Sequence, residues 1–413
     1  MTLVRDRTEL RRERTGLSSA PLRVAVVGAG GIAQMMHLPT LAERPDLFRI
    51  AGLADVDRSV LEAVGERYGV AVRTTDYREL VARKDVEAVL LATSGSHREA
   101  ALRALQAGKH VFVEKPVGFS LPETEEVARA ARRSRGVLMV GYHKRYDPAY
   151  RRAREEVRGM RDLRLVEATV LHPDDGAYRT HHALLPPRPY SETPEDVADR
   201  AETEATAGPL AAALRETAGV GASASHLVAT SMLWQSLIHD LNALRGILGE
   251  PEEVLSAHAW RGGLAQTSLT RFPGNVRVLL TWVSLHGLKH YEERLLFASP
   301  EKRLTLVFPS PYLRHAPTPL LVERMEGGEL VEERRTVSYE EAFRVELHHF
   351  RQCVREGRKP ETGVEDALGD ARWIQAIARS LAPGPPKPGS QAAPSRARGK
   401  PRRSARPPSR RRS

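Results

Sequence analysis

The sequence predicts an α/β domain built on a parallel sheet, then an α+β domain with a large, mostly antiparallel open sheet, with disordered termini. Three observations carry this. Up to about residue 141, short β-branched runs alternate with helix-like stretches, and Arg23–Gly28, Ile50–Ala54, Ala88–Ala92, His110–Glu114 and Val137–Gly141 read as strands. Strand and helix in alternation imply right-handed crossovers and a parallel sheet covered on both faces. After Tyr150 strands follow one another without helices between them, near Val254–Trp260, Ser268–Phe272, Val276–Ser284, Glu293–Ala298 and Lys302–Phe308, the pattern of an antiparallel sheet with helices on one face. Finally, residues 1–21 and 383–413 are too polar, or too rich in Pro, Ser, Arg and Gly, to bury a core of their own.

A chain of 413 residues is long enough for two domains with tails. The divisions are a 1–21 arm, a 22–145 dinucleotide-binding domain, a 146–382 substrate and oligomerisation domain, and a 383–413 basic tail. The second domain opens with a helix over Pro148–Arg158 and a strand over Leu165–Leu171. A long polar stretch, 173–225, follows and holds one short helical pattern at Leu210–Glu216, ahead of an apolar helix over Thr230–Leu248.

The net charge of +11 is concentrated at one end. From Pro383 to Ser413 there are ten Lys or Arg and no acid, which accounts for all but one of those charges. The rest is nearly neutral, so nucleic acid is a partner only non-specifically, through the tail. The single cysteine, Cys353, cannot form an intrachain disulfide, which fits a reducing compartment and a cytoplasmic protein. Arg11-Arg12 is followed by Glu13 and Arg14 rather than an apolar run, so no export signal is read there. No stretch is apolar enough to span a membrane.

Val24–Val27, then Gly28-Ala29-Gly30-Gly31-Ile32-Ala33, reads as a strand, a glycine turn and a helix start. Gly28 permits the turn, Gly30 lets the backbone approach a pyrophosphate, and small Ala33 allows close helix-to-strand packing. The second strand ends in Leu53-Ala54-Asp55, placing a carboxylate where the ribose hydroxyls of NAD bind. Asp55 disfavours a 2′-phosphate, while Arg58 is near enough to accommodate one, so NAD is the expected cofactor and NADP stays open. Lys115 follows the strand His110–Glu114 at its carboxyl end, where open parallel sheets place ligands. Read alone, such a lysine is a solvated surface charge. Beside a substrate hydroxyl it is a candidate proton donor or acceptor.

Gly28–Ala33, Asp55, the block Gly108–Pro116 with its Glu114-Lys115-Pro116 tripeptide, and Gly141-Tyr-His-Lys-Arg-Tyr-Asp-Pro148 together resemble the Gfo/Idh/MocA oxidoreductases. The likeness covers residues 22–150 and continues in the helix around His239 and in Gly363–Ala367. It implies a Rossmann domain, a catalytic Lys115, and a second domain whose open sheet serves oligomerisation. The implied cofactor-binding set is Gly28, Gly30, Gly31, Ile32, Ala33, Asp55, Thr93, Ser94, His97, Glu114 and Lys115. It also implies a basic pair near the cleft, Lys144 and Arg145, which reads equally well as solvated charge.

On the helix Thr230–Leu248, a spacing of about 100° per residue puts Leu233, Leu237, Leu241, Leu244 and Leu248 on one face. Gln235, His239, Asn242 and Gly246 share the other, a polar stripe without Lys or Glu that suits a cleft. The family pattern here is Asp-x-x-x-His with a catalytic histidine. His239 matches it, whereas Gln235 replaces the aspartate with an amide that cannot stabilise an imidazolium as a carboxylate would. Ser94, where the family commonly has Pro, is a second departure.

These readings converge on hydride transfer between NAD(P) and a sugar, polyol or related hydroxylated molecule. Lys115 and His239 are catalytic, and Lys144, Arg145, Gln235 and Asn242 bind substrate. No histidine spacing indicates a metal. The competing readings are a non-catalytic nucleotide-binding sensor or scaffold, which Gln235 allows, and an acidic-partner binder acting through the tail.

Overall fold

In the computed structural model, residues 20–187 and 193–381 are described. The arm, apart from Ala20 and Pro21, and the basic tail therefore lie outside the described residues. The first half forms β1 (Leu22–Val27), a π-helical turn Ala33–His37 leading into α1 (Leu38–Glu43), β2 (Phe48–Ala54), α2 (Arg58–Arg67) and β3 (Arg73–Thr74). It continues through α3 (Tyr77–Ala82), β4 (Ala88–Leu91), α4 (Arg98–Gln106), β5 (His110–Glu114), α5 (Leu121–Arg133) and β6 (Leu138–Gly141). The six strands lie in the order β3-β2-β1-β4-β5-β6, and every pairing is parallel. In this doubly wound order the chain reverses direction between β1 and β4, and the crevice at their carboxyl ends is where such sheets hold ligands. The two-residue β3 was not legible in the sequence.

A short 3₁₀ turn, His143–Tyr146, leads to α6 (Pro148–Arg158) and β7 (Leu165–His172). Residues 173–225 were expected to be loop around one short helix. They contain α7 (Gly176–Arg179), α8 (Pro194–Thr206) and α9 (Ala211–Ala218), the last close to the expected position. In α8 only Ala205 is buried, so no apolar stripe announced it, but Thr193 and Asp196 form a capping box at its start. The apolar helix begins earlier than expected, as α10 (Ala224–Met232) capped by Ser223. It runs through a π turn, Leu233–Leu237, into α11 (Ile238–Leu248).

Seven more strands follow: β8 (Glu253–Trp260), β9 (Ala265–Phe272), β10 (Val276–Ser284), β11 (Glu292–Ala298), β12 (Lys302–Phe308), β13 (Pro319–Glu326) and β14 (Glu329–Thr336). With β7 they form one sheet in the order β14-β13-β12-β11-β7-β10-β9-β8. Only β7 and β10 pair in parallel. Alternation sets its buried face, with Val166, Ala168 and Val170 beside Val278, Leu280 and Trp282 and opposite Leu295 and Phe297. The hairpin β13–β14 went unread because β14 carries Glu or Arg at most positions. Its Gly327-Gly328 turn, both at positive φ, was the available signal.

The chain ends with α12 (Ala342–Glu356) and α13 (Val364–Ser380), which return to the first sheet. Leu347 and Phe350 of α12 share a core with Leu22, Val24 and Phe112. Before α13, the Thr362 carbonyl accepts from the Val140 N–H at 2.9 Å. No described helix is long and apolar enough to cross a membrane.

Candidate active site

The glycine turn follows β1 with Gly28 at φ +91°, a region L side chains rarely adopt. A Cβ there would lie 2.7 Å from the Ala92 carbonyl, so β1 and the end of β4 meet only because residue 28 has no side chain. Ala33 is fully buried beneath the turn. Asp55, at the end of β2, accepts from the Ala29 N–H at 2.7 Å and from the Asp57 N–H at 2.9 Å. Its carboxylate thus ties the glycine turn to the start of α2. In front of the turn is a cleft of about 1050 Å³ lined by Gly28, Gly30, Gly31, Ile32, Asp55, Thr93 and Ser94, among others. A Cβ on Gly30 would meet no protein atom within 4 Å, so the space before it is open to a ligand.

A second cleft, about 2020 Å³, shares Ser94 with the first and is lined across from it by His172, Asp175, Gln235, Ser236, Trp282 and His286. Lys115 reaches the wall of the second cleft through Gln235. It leaves the end of β5 and donates from Nζ to the Gln235 main-chain carbonyl at 2.6 Å. Burial lowers its pKa to about 8, with Glu114 opposing and Lys144 adding to the fall. His239 packs edge-on against His143, ring centroids 4.7 Å apart, and His143 stacks on Phe343. Burial, then the charges of Lys115, His143 and Lys144, push His239 well below the usual histidine range, so it is neutral at pH 7.

The matches to known proteins fall on this frame. The profile described as "Oxidoreductase family, NAD-binding Rossmann fold", that of Gfo/Idh/MocA, matches residues 22–142. D-glucoside 3-dehydrogenase of Escherichia coli K12 is 34% identical over 35% of this chain and 41% of its own length. The scyllo-inositol 2-dehydrogenase (NAD(+)) of Bacillus subtilis 168 is 22% identical over 82% of this chain and 88% of its own. Residues 22–142 thus match the NAD-binding Rossmann domain of the Gfo/Idh/MocA oxidoreductases. Among solved structures, the 3-ketoreductase KijD10 from Actinomadura kijaniata, in complex with NADP, aligns with a TM-score of 0.65 at 22% identity. That alignment covers 87% of this chain and 98% of KijD10, a likeness of fold. The chain spans less than half the length of the relatives it matches at 29% to 34% identity.

Several expected site residues take other places. The π turn Leu233–Leu237 breaks the polar stripe, because one added residue per turn rotates everything after it by about 100° relative to what precedes it. Gln235 lines the second cleft, whereas Asn242 is turned against α13, fully buried and donating to Asp370 at 2.8 Å. Arg145, expected beside substrate, is buried with Asn242 and Asp366, both at 3.3 Å. Gly246 is a packing position, since a Cβ there would fall 2.3 Å from the Tyr150 hydroxyl. Lys144 is buried between Asp240, at 3.0 Å, and Glu293. Burial alone would depress its ammonium, but the two carboxylates hold it above its ordinary value. These three expected substrate ligands, Lys144, Arg145 and Asn242, are internal ties.

Two expected cofactor ligands are also inside the protein. His97 is buried, with Nδ1 2.7 Å from the Pro116 carbonyl. Glu114 is buried against the His37 ring at 2.7 Å and accepts from the Lys115 N–H at 3.2 Å. Both hold the Lys115–Pro116 segment in place. The residues that sequence reasoning missed are His37, His143, Asp240 and Glu293. Glu293 carried a signal, being in phase with buried Leu295 and Phe297 on β11, because a charge at a core position needs a buried partner. Among the described residues no group of three or more His, Cys, Asp or Glu could hold a metal ion.

Proposed function

We propose that this chain is an NAD(P)-dependent oxidoreductase acting at a carbinol or carbonyl carbon of a sugar, polyol or related hydroxylated molecule. The carrying observation is the Lys115 Nζ, partly buried, of lowered pKa and bonded to the main chain of Gln235, which lines the second cleft. The first cleft fits a dinucleotide: its turn is open at Gly30 and small at Ala33, and Asp55 stands at its ribose end. Asp55 favours NAD, and Arg58, exposed at the start of α2, leaves NADP open. The names of the relatives, an NAD(+)-dependent inositol dehydrogenase and a ketoreductase solved with NADP, support the same cofactor pair and a sugar-like substrate.

The bound nicotinamide supplies the hydride donor or acceptor. In oxidation, neutral Lys115 takes the hydroxyl proton; in reduction, its ammonium returns one to the carbonyl oxygen. His239, held neutral, serves as a hydrogen-bonding partner beside Lys115, and Gln235 presents its amide to the substrate cleft. A self-associating assembly through the second sheet is part of the proposal. It is supported by Leu279, Val283, Leu296, Val307 and Leu321, which stay partly exposed on the face opposite the core. A cytoplasmic location fits the lone, buried Cys353.

The test follows nicotinamide absorbance with NAD or NADP and a panel of polyols, aldoses, sugar acids and amino sugars, and with NADH or NADPH and carbonyl compounds. Turnover by the wild type, reduced about 10²- to 10⁴-fold in Lys115→Ala, supports the reading. Tight nucleotide binding without turnover on any substrate overturns it in favour of a non-catalytic nucleotide-binding protein.

A further inference from the structure

The segment after β7 crosses to the glycine turn. Gln34, buried three residues beyond Gly31, uses its side-chain amide twice across this gap, donating to the Leu185 carbonyl at 2.8 Å and accepting from the Leu185 N–H at 2.7 Å. The same Nε2 also donates to the Ala29 carbonyl at 2.8 Å, so one amide joins the turn to the segment. Arg67 of α2 adds a bond to the Ala183 carbonyl. At its other side the segment is fixed to loops that connect strands of the second sheet: the Tyr178 hydroxyl donates to the Lys289 carbonyl at 2.9 Å, and the His182 ring meets the Tyr312 carbonyl at 2.7 Å. These ties make residues 176–185 a strap of defined position over the cofactor turn.

The strap brings one cation to the turn. A Cβ on Gly31 would lie 3.3 Å from an Arg179 Nη2, and the Arg179 guanidinium sits over the Tyr312 ring, 5.8 Å from its centroid, with Asp175 one helical turn before it. Among the described residues, the lining of the dinucleotide cleft, which includes Gly30, Gly31 and Ile32, contains no Lys or Arg. A dinucleotide brings two negative phosphates to that turn, and a guanidinium is the side chain suited to pairing with them.

We propose that Arg179 binds the diphosphate of the dinucleotide from the second domain's strap, and that Gln34 sets the strap's position. The inference rests on the cofactor reading given above. Gly31 has no side chain to stand between the guanidinium and a phosphate, so cofactor affinity depends on a residue far from the glycine motif in sequence. The strap thereby makes a segment of the substrate half part of the cofactor site.

The experiment is titration of the full-length protein with NADH, NADPH, ADP-ribose and adenosine, followed by fluorescence or calorimetry, for wild type, Arg179→Gln, Arg179→Lys and Gln34→Leu. The expected result is a loss of about tenfold or more in the affinity for ADP-ribose and the preferred reduced nucleotide in Arg179→Gln. Arg179→Lys should lose less, Gln34→Leu should weaken the same ligands, and adenosine should bind every variant alike. The salt dependence of binding should be shallower in Arg179→Gln, since one screened ion pair is gone. Unchanged dinucleotide affinity in Arg179→Gln, or an equal loss for adenosine, would overturn the inference while leaving the cofactor reading in place. A wild type that binds neither NADH nor NADPH would overturn both.

Discussion

The two halves of this chain use polar residues differently. In the first half the glycine turn, Asp55, Thr93 and Ser94 line an open cleft, close to where their motif places them. In the second, most of the polar residues that looked like ligands hold elements together: Lys144 joins α11 to β11 through Asp240 and Glu293, and Arg145 and Asn242 join α11 to α13. The difference is one of range. A strand–turn–helix is a local object whose chemistry can be read over a few residues, whereas the burial of a charge is decided by partners far along the chain. Lys144 and Glu293 are 149 residues apart.

The largest effect that could break this comparison is expected at Lys144. Lys144→Met leaves Asp240 and Glu293 buried without a cation, and a stability loss of about 3–5 kcal/mol is expected, read from denaturant unfolding. A stable variant with a raised KM would return Lys144 to the substrate site. At Asn242, whose bonds are internal, Asn242→Ala is expected to cost about 1–3 kcal/mol with KM unchanged once the protein is folded. A selective rise in KM would show that the side chain reaches substrate after all.

In the first half the expected change is one of preference. Asp55→Asn removes the charge that opposes a 2′-phosphate and should shift the ratio of NADP to NAD affinity by about tenfold toward NADP. No change in that ratio would mean that Asp55 only ties the turn to α2. The smallest effect is expected beside Lys115. Gln235→Asp places a carboxylate near Lys115 and should move the inflection of its pH profile upward by about one unit. An unmoved inflection would show that residue 235 acts on Lys115 only through its main chain.

The parallel sheet and five of its six strands were legible because β-branched runs alternate with helical spacings; the place of Lys115 after β5 was legible with them, while a role for it came only from the family resemblance. The stripe on the helix through His239 was half legible. Its spacing was right on each side of Leu233–Leu237, but nothing in Leu233-Trp-Gln-Ser-Leu237 signals a π turn, and that turn decides which residues share a face. The strap was hidden for another reason. Residues 176–185 have little apolar periodicity of their own, and their order comes from Gln34, Arg67 and Tyr312, contacts that no local pattern contains.

The measurement that tests the central claim most directly is the pH dependence of single-turnover hydride transfer in both directions, with nucleotide and substrate saturating. With Lys115 lowered to about 8, oxidation, which needs the neutral amine as base, should rise with pH through about 8. Reduction, which needs the ammonium as acid, should fall through the same pH, and both inflections should vanish in Lys115→Ala. Profiles that are flat around pH 8, or that keep their inflections in Lys115→Ala, would contradict the assignment of Lys115 as the proton-transferring group.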